Sequence, residues 1–163
     1  MTPDLPKTAP EPKEGLHLKR PCLLVADLER ALTIYQDILG FRLDYVAEAS
    51  ATSYLYKVFQ IPAQATLTFA TLSTERELRA IALTEVKGIE LPRPTPPYPI
   101  GIVIQVSDLA MAIQQIQSLE LEVVQPSYFT APPNLAFTEQ GFYDFDGHLI
   151  ILYEVKVLSE NHL

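Results

Sequence analysis

The sequence predicts an α+β fold made of two tandem β-α-β-β-β units. Three observations in the 163-residue chain carry that prediction. First, the stretch "LPRPTPPYP" (Leu91 to Pro99) divides the chain into two nearly equal halves; proline removes backbone donors and resists both helix and central strand. Second, both halves open alike: Val25-Ala26-Asp27-Leu28 aligns with Val106-Ser107-Asp108-Leu109, and Ala31 with Ala112. Third, both close alike, "LRAIALTEV" (Leu78 to Val86) against "GHLIILYEV" (Gly147 to Val155), so the repeat is internal.

Each element follows from local pattern. Residues 1–15 hold Pro3, Pro6, Pro10 and Pro12 among charges and read as a disordered tail. The first unit, 16–90, begins with a β-rich run, Leu18–Val25. Asp27 then stands where its carboxylate can accept hydrogen bonds from the free N–H groups of a helix start. Leu28, Ala31, Leu32, Tyr35 and Leu39 recur at helical spacing, and Gly40 supplies a stop. "FRLDYVA" alternates Phe41, Leu43 and Tyr45 against Arg42 and Asp44, a strand pattern. "SYLYKVFQI" suits a short helix through Tyr54, Val58 and Ile61, and "ATLTFATL" and "LRAIALTEV" are the remaining strands. After the connector at 91–99, the second unit, 100–158, repeats the plan with Ile100–Val106 and the cap Asp108. Its helix presents Leu109, Ala112, Ile113 and Ile116. "LEVVQP" is the expected counterpart of the second strand, "SYFTAPPNLAF" a loop, and "AFTEQGFYDF" and "HLIILYEV" the closing hairpin; 159–163 is a tail.

Composition narrows the class of partner. Hydrophobic residues are 48% and charged residues 20% of the chain, a globular balance. No apolar run reaches the roughly 20 residues that a bilayer requires, so no membrane partner is expected. The formal charge is −8 without a basic cluster, which argues against nucleic acid. "MTPDLPKTAPEPKEG" lacks the basic start and apolar stretch of a secretory leader, and the single Cys22 fits a reducing cytoplasm.

Two stretches, "VADLERALTIYQDILGF" and "FYDFDGHLIILYE", resemble the vicinal oxygen chelate superfamily, also called glyoxalase/bleomycin-resistance/dioxygenase. Against that family's usual forms, Ile34 replaces an aromatic, Phe145 a proline and His148 an asparagine. The resemblance implies that the two units pair into a cupped, mostly antiparallel sheet with helices outside and a small-molecule cavity within. It also implies, in metal-dependent members, four histidine or glutamate ligands facing the cup. Here those four positions are Arg20, Gly101, Ile151 and Ala82. Arginine is permanently cationic and the other three side chains carry no donor atom, so no metal and no other cofactor is expected. His17 falls on the opposite strand face from Arg20, while His148 sits at a turn and His162 near the end, both read as solvated side chains.

Strand alternation gives the cup lining. Arg20, Cys22 and Leu24 share one face, with Pro21, Leu23 and Val25 turned toward the helix. Gly101, Val103 and Gln105 line the second unit, with Leu149, Ile151 and Tyr153 beside them; Ala80, Ala82 and Thr84 are the first-unit equivalents. If "DFDGH" forms a three-residue loop with a glycine bulge, Gly141 opposes Ile151, and Glu139 and Tyr143 point inward. The candidate ligand-binding residues are therefore Arg20, Cys22, Gln105, Glu139, Tyr143, Ile151 and Tyr153, with Glu139 the one candidate for a metal-free general base. Arg20 can grip a carboxylate, or else pair with Glu139 and close the cavity structurally.

Three readings follow. The chain binds a small organic ligand, aromatic or carboxylated, in the manner of bleomycin-resistance proteins. Alternatively, it is a lyase or dioxygenase-type enzyme, metal-free or with unusual ligands; or it is a protein interaction module using the proline-rich rim. The resemblance also implies a homodimer as one arrangement, with units paired either within one chain or between two.

Overall fold

A computed structural model describes residues 10–159 of the chain. The expected tails lie largely outside that range, as does His162; residues 10–15 and Ser159 are exposed. Among the described residues, eight strands form two four-stranded sheets of the same topology. The first holds β1 (Cys22–Val25), β2 (Arg42–Glu48), β3 (Thr66–Ser73) and β4 (Ile81–Lys87) in the order β1-β4-β3-β2. The second holds β5 (Gly101–Gln105), β6 (Ser127–Ala131), β7 (Leu135–Tyr143) and β8 (Leu149–Val157) in the order β5-β8-β7-β6. β1–β4 and β5–β8 are parallel and the other pairs antiparallel. The repeat is visible residue by residue: Cys22 pairs with Ala82 and Ala82 with Thr71, just as Val103 pairs with Ile151 and Ile151 with Gly141.

The parallel pairing demands a crossover, and the helices supply it. α1 (Leu28–Leu32) runs into a π-helical turn over Thr33–Ile38, and α3 (Leu109–Ser118) is its counterpart. Both aspartates cap as their position requires: Asp27 accepts from the Arg30 N–H at 2.9 Å and Asp108 from the Met111 N–H at 3.0 Å. Glu85 adds a second cap in the first unit, accepting from the Leu28 N–H at 2.7 Å. Gly40 ends the first helix at φ 87°, the left-handed conformation that only glycine adopts without strain. α2 (Tyr54–Val58) is the short helix expected between β2 and β3, capped by Ser53.

One core joins the two units. Leu23 and Val25 of β1, Leu83 of β4, and Ile150 and Leu152 of β8 pack with Leu28, Ile34 and Tyr35 of the first helix and Ile113 and Ile116 of α3. The helices thus cover one face of each sheet and leave the other face turned away from them. A smaller cluster of Ile61, Ala65, Leu67 and Val86, with Leu55 and Tyr56 of α2, closes one end of the first sheet's outer face. No helix among the described residues is long and apolar enough to cross a membrane.

Two strands depart from the simple pattern. The alternation of "FRLDYVA" breaks between Leu43 and Tyr45, where the register with β3 shifts. Phe41 is buried, but Tyr45 emerges on the outer face beside Phe69, half exposed. "LEVVQP" is not a strand: Val123 makes an isolated bridge to Phe142. Pro126 then interrupts the donors, and pairing resumes only at Ser127–Ala131, inside the stretch expected to be a loop. β1 is also shorter than Leu18–Val25, since Leu16 and Leu18 stand exposed before it.

Candidate functional site

The closing hairpin sets the geometry of the second sheet's outer face. Tyr143 pairs with Leu149. Beyond that pair the Asp144 N–H donates to the His148 carbonyl at 3.0 Å, leaving the three-residue loop Phe145-Asp146-Gly147. Gly147 takes φ 87°, as the bulge requires, and Gly141 consequently faces Ile151. Three cross-strand rows result: Gly101–Leu149–Tyr143, Val103–Ile151–Gly141, and Gln105–Tyr153–Glu139–Ser127. Five of the seven residues singled out from the sequence lie in these rows. The Tyr153 hydroxyl donates to Gln105 Oε1 at 3.2 Å, and Glu139 stands on the far side of Tyr153. Tyr143 is stacked on Tyr98 of the connector, ring centroids 4.8 Å apart, so the proline-rich segment borders this face. Phe129 and Phe137 stack at 4.8 Å further along it.

Arg20 and Cys22 belong to the other sheet. Cys22 is an exposed free thiol on β1, and Arg20 precedes that strand, its Nη1 donating to the Arg79 carbonyl at 3.4 Å. The alternative pairing of Arg20 with Glu139 is not what the structure forms. Among the described residues the ion pairs are Arg30–Asp146, Arg42–Asp44 and Lys156–Glu154. A cleft of about 620 Å³ runs beside Pro21 and Ala80 of the first unit and Ile102 to Ser107 of the second, touching Val103 and Gln105. A second, of about 320 Å³, lies on the first sheet's outer face between Tyr45, Phe69 and Leu55.

The two outer faces differ in access. Ala82, Thr84 and Val86 on β4 are buried, whereas their equivalents Ile151, Tyr153 and Val155 on β8 are half-buried. The Thr71 and Thr84 hydroxyls are buried without a hydrogen-bond partner among the described residues.

The four positions that the sequence resemblance marks for metal ligands carry side chains that do not suit one. Ala82 is buried and has no donor. A Cβ added at Gly101 would meet Ile151 Cδ1 at 3.2 Å and Leu149 Cδ2 at 3.3 Å, so aliphatic carbon fills that corner. Arg20 brings a fixed positive charge. Among the described residues no three histidine, cysteine, aspartate or glutamate side chains converge as a metal site would need. His17 is exposed.

Two residues of the closing turn prove structural, and one of them corrects an expectation from the sequence. His148 is not solvated at its turn: its Nε2 lies 2.8 Å from the Leu24 carbonyl on the free edge of β1, which makes that nitrogen the donor. Asp144 is buried, receiving the Tyr35 hydroxyl on Oδ2 at 2.7 Å and the Asp146 and His148 N–H groups on Oδ1 at 3.0 and 2.9 Å. Burial, and then the charge of Asp144, hold the Tyr35 phenol well above its ordinary range. Asp146 accepts from the Ala26 N–H at 2.8 Å, and burial raises its carboxyl above the usual value. Together these contacts fasten the terminal hairpin of the second unit to the first strand and helix of the first.

Residues 17–152 match the Glyoxalase/Bleomycin resistance protein/Dioxygenase superfamily. Among solved structures, a glyoxalase family protein of Bacillus cereus is 16% identical with a TM-score of 0.67, covering 90% of this chain and 99% of that one. The fosfomycin resistance protein of Listeria monocytogenes, solved with Mn(II) and sulfate, is 20% identical with a TM-score of 0.56, covering 85% and 91%. The trypanothione-dependent glyoxalase I of Leishmania major is 19% identical with a TM-score of 0.56, covering 85% and 86%. At these identities the likeness concerns the fold. No curated protein matches.

Proposed function

Because the chain belongs to the Glyoxalase/Bleomycin resistance protein/Dioxygenase superfamily, we propose that it binds a small organic molecule on the outer face of its second sheet, without a resident metal. The observation that carries this reading is the row Gln105–Tyr153–Glu139 laid beside the aliphatic row Val103–Ile151–Gly141. Apolar carbon takes the body of a ligand, and a few fixed polar groups orient it. Gln105 and Tyr153 hold one another in place, so Gln105 offers its amide N–H groups and Glu139 its carboxylate. Tyr143 adds an aromatic wall steadied by Tyr98. Such a surface suits an aromatic molecule carrying a hydrogen-bonding or charged group.

The face is open in a single chain, with Val103 59% exposed. A second copy that covers it, bringing Arg20 and Cys22 of its own first unit, would complete a cup and add a guanidinium for a carboxylate. The proposed working form is therefore a cytoplasmic homodimer. Of the positions that the resemblance marks for metal-assisted lyase or dioxygenase chemistry, three carry no donor atom and Arg20 carries a fixed positive charge, so sequestration of the ligand is the activity this reading favours.

The test is a thermal-shift and calorimetric screen of small aromatic and carboxylated compounds on the whole chain. Stabilisation that Gln105→Ala or Tyr153→Phe weakens supports the site, and loss of carboxylate binding in Arg20→Ala supports the shared cup. Stoichiometric manganese, zinc or iron in protein purified without chelator overturns the metal-free reading.

A further inference from the structure

A third cleft, of about 660 Å³, lies away from the outer face of the second sheet, between the start of α1, the segment after β4 and the turn of the closing hairpin. Ala26, Ile89, Leu91 and Phe145 give it an apolar part beside its charged residues. Two arginines border it, and both are organised by Phe145, the residue that departs from the family's usual proline in that turn. The Arg30 guanidinium sits over the Phe145 ring, 4.8 Å from its centroid. Arg93, from the proline-rich connector, donates from Nη1 to the Phe145 carbonyl at 2.8 Å. Its side chain passes so close to Gly147 that a Cβ there would lie 2.9 Å from Arg93 Cγ.

The donors of these two arginines are mostly uncommitted. Each guanidinium carries five N–H groups. Among the described residues the Arg93 guanidinium makes that one hydrogen bond, and the Arg30 guanidinium makes none, only a 3.9 Å ion pair with Asp146. Asp146 is itself committed: its side chain is 9% exposed and its Oδ1 accepts from the Ala26 N–H. Aromatic stacking and the carbonyl bond fix both guanidinium groups in position without consuming their capacity, which lowers the ordering cost of a second partner. Glu90 and Asp146 oppose the two cations, so the cleft is no general trap for polyanions and favours a single anionic head.

We propose that this cleft is a second binding site, for a small organic anion: a carboxylate or phosphate monoester whose oxygens meet Arg30 and Arg93 and whose apolar body lies along Ile89, Leu91 and Phe145. The site does not rest on the reading of the sheet face. The two differ in their arginines, Arg30 and Arg93 here, Arg20 there.

Benzoate and phenyl phosphate, titrated calorimetrically into the whole chain, test it. Saturable binding of either probe is expected, weakened about tenfold or more by Arg30→Gln and by Arg93→Gln, as loss of one charge-assisted contact implies. Whichever probe binds names the head group. In the unmutated chain the same probe should protect Arg30 and Arg93, but not Arg76, from phenylglyoxal, a readout independent of how the variants fold. Absence of binding by both probes up to about 10 mM, the range of the weakest specific contacts, overturns the proposal. So does binding that both variants retain unchanged, or that Arg20→Ala alone abolishes.

Discussion

Tyr35→Phe is the most informative single substitution for how the two units are held together. Tyr35 and Asp144 are both buried, and the phenol supplies the one donor that Asp144 Oδ2 has among the described residues, at 2.7 Å. Removing it changes no volume of consequence but leaves a carboxylate oxygen in the core without a partner. Hydrogen bonds to charged groups contribute about 1.5–3 kcal/mol, and an orphaned buried acceptor adds its desolvation cost, so a loss of about 2–3 kcal/mol is expected. Asp144→Asn should cost a similar amount. The double variant should fall short of the sum by about 1 kcal/mol or more, because both changes act on one bond. Equilibrium urea denaturation measures all three.

The same pair predicts an alkaline limb. The phenol's folded pKa lies above its ordinary value of about 10, so its contribution is fully present below pH 10 and is lost as pH rises through the folded value. Tyr35→Phe should flatten that limb. A cost below about 0.5 kcal/mol, the size of an ordinary surface change, would refute the view that this bond fastens the units.

Other substitutions test other parts of the structure. Gly147→Ala should destabilise by about 1–2 kcal/mol, since it forces an L-residue to φ 87° and drives a Cβ against Arg93, and thermal denaturation will show it. Thr84→Val should leave stability unchanged or raise it by about 1 kcal/mol, because a buried hydroxyl without a partner is exchanged for a methyl; a clear loss would mean that the hydroxyl is hydrogen-bonded in solution. Asp146 has a raised folded pKa. Its contribution therefore grows as pH falls from neutral through that value and fades as pH rises again, and Asp146→Asn should abolish this dependence in pH-resolved denaturation.

The fold was legible because its signals are local and doubled. Asp27 and Asp108 cap helices after strands of matching register, and Gly40 and Gly147 sit at positive φ where the sequence places turns. The errors came where a tertiary partner decides. Val123 and Val124 look like a strand, but Pro126 breaks the ladder and Tyr128 and Phe129 take the pairing instead. His148 and Asp144 looked like turn residues because their partners, the Leu24 carbonyl and Tyr35, are more than 100 residues away. Arg93 and Arg30 carried no sequence signal at all, since neither belongs to a periodic pattern and only the turn at Phe145 brings them together.

The equivalent outer positions of the two units differ in access. Ala82, Thr84 and Val86 correspond to Ile151, Tyr153 and Val155, yet the first set is sealed and the second is open. The first unit inserts α2 between β2 and β3, and Leu55 and Tyr56 from that helix pack on Leu67 and Val86. The second unit places no helix there; it follows α3 with an irregular segment and the short edge strand β6, whose Phe129 stacks beside the open face. A duplicated unit that had kept both faces open would expose two apolar surfaces in one chain, a hazard for solubility. Closing one end of the first face with a helix, and leaving the second bordered by Tyr98 and Tyr143, fits the proposal that the second unit presents the main ligand surface, which Arg20 and Cys22 of a second copy would complete. Loosening α2, for instance by Leu55→Ala, should therefore lower stability while leaving ligand affinity at the Gln105–Tyr153–Glu139 row nearly unchanged. Tyr143→Ala should do the reverse.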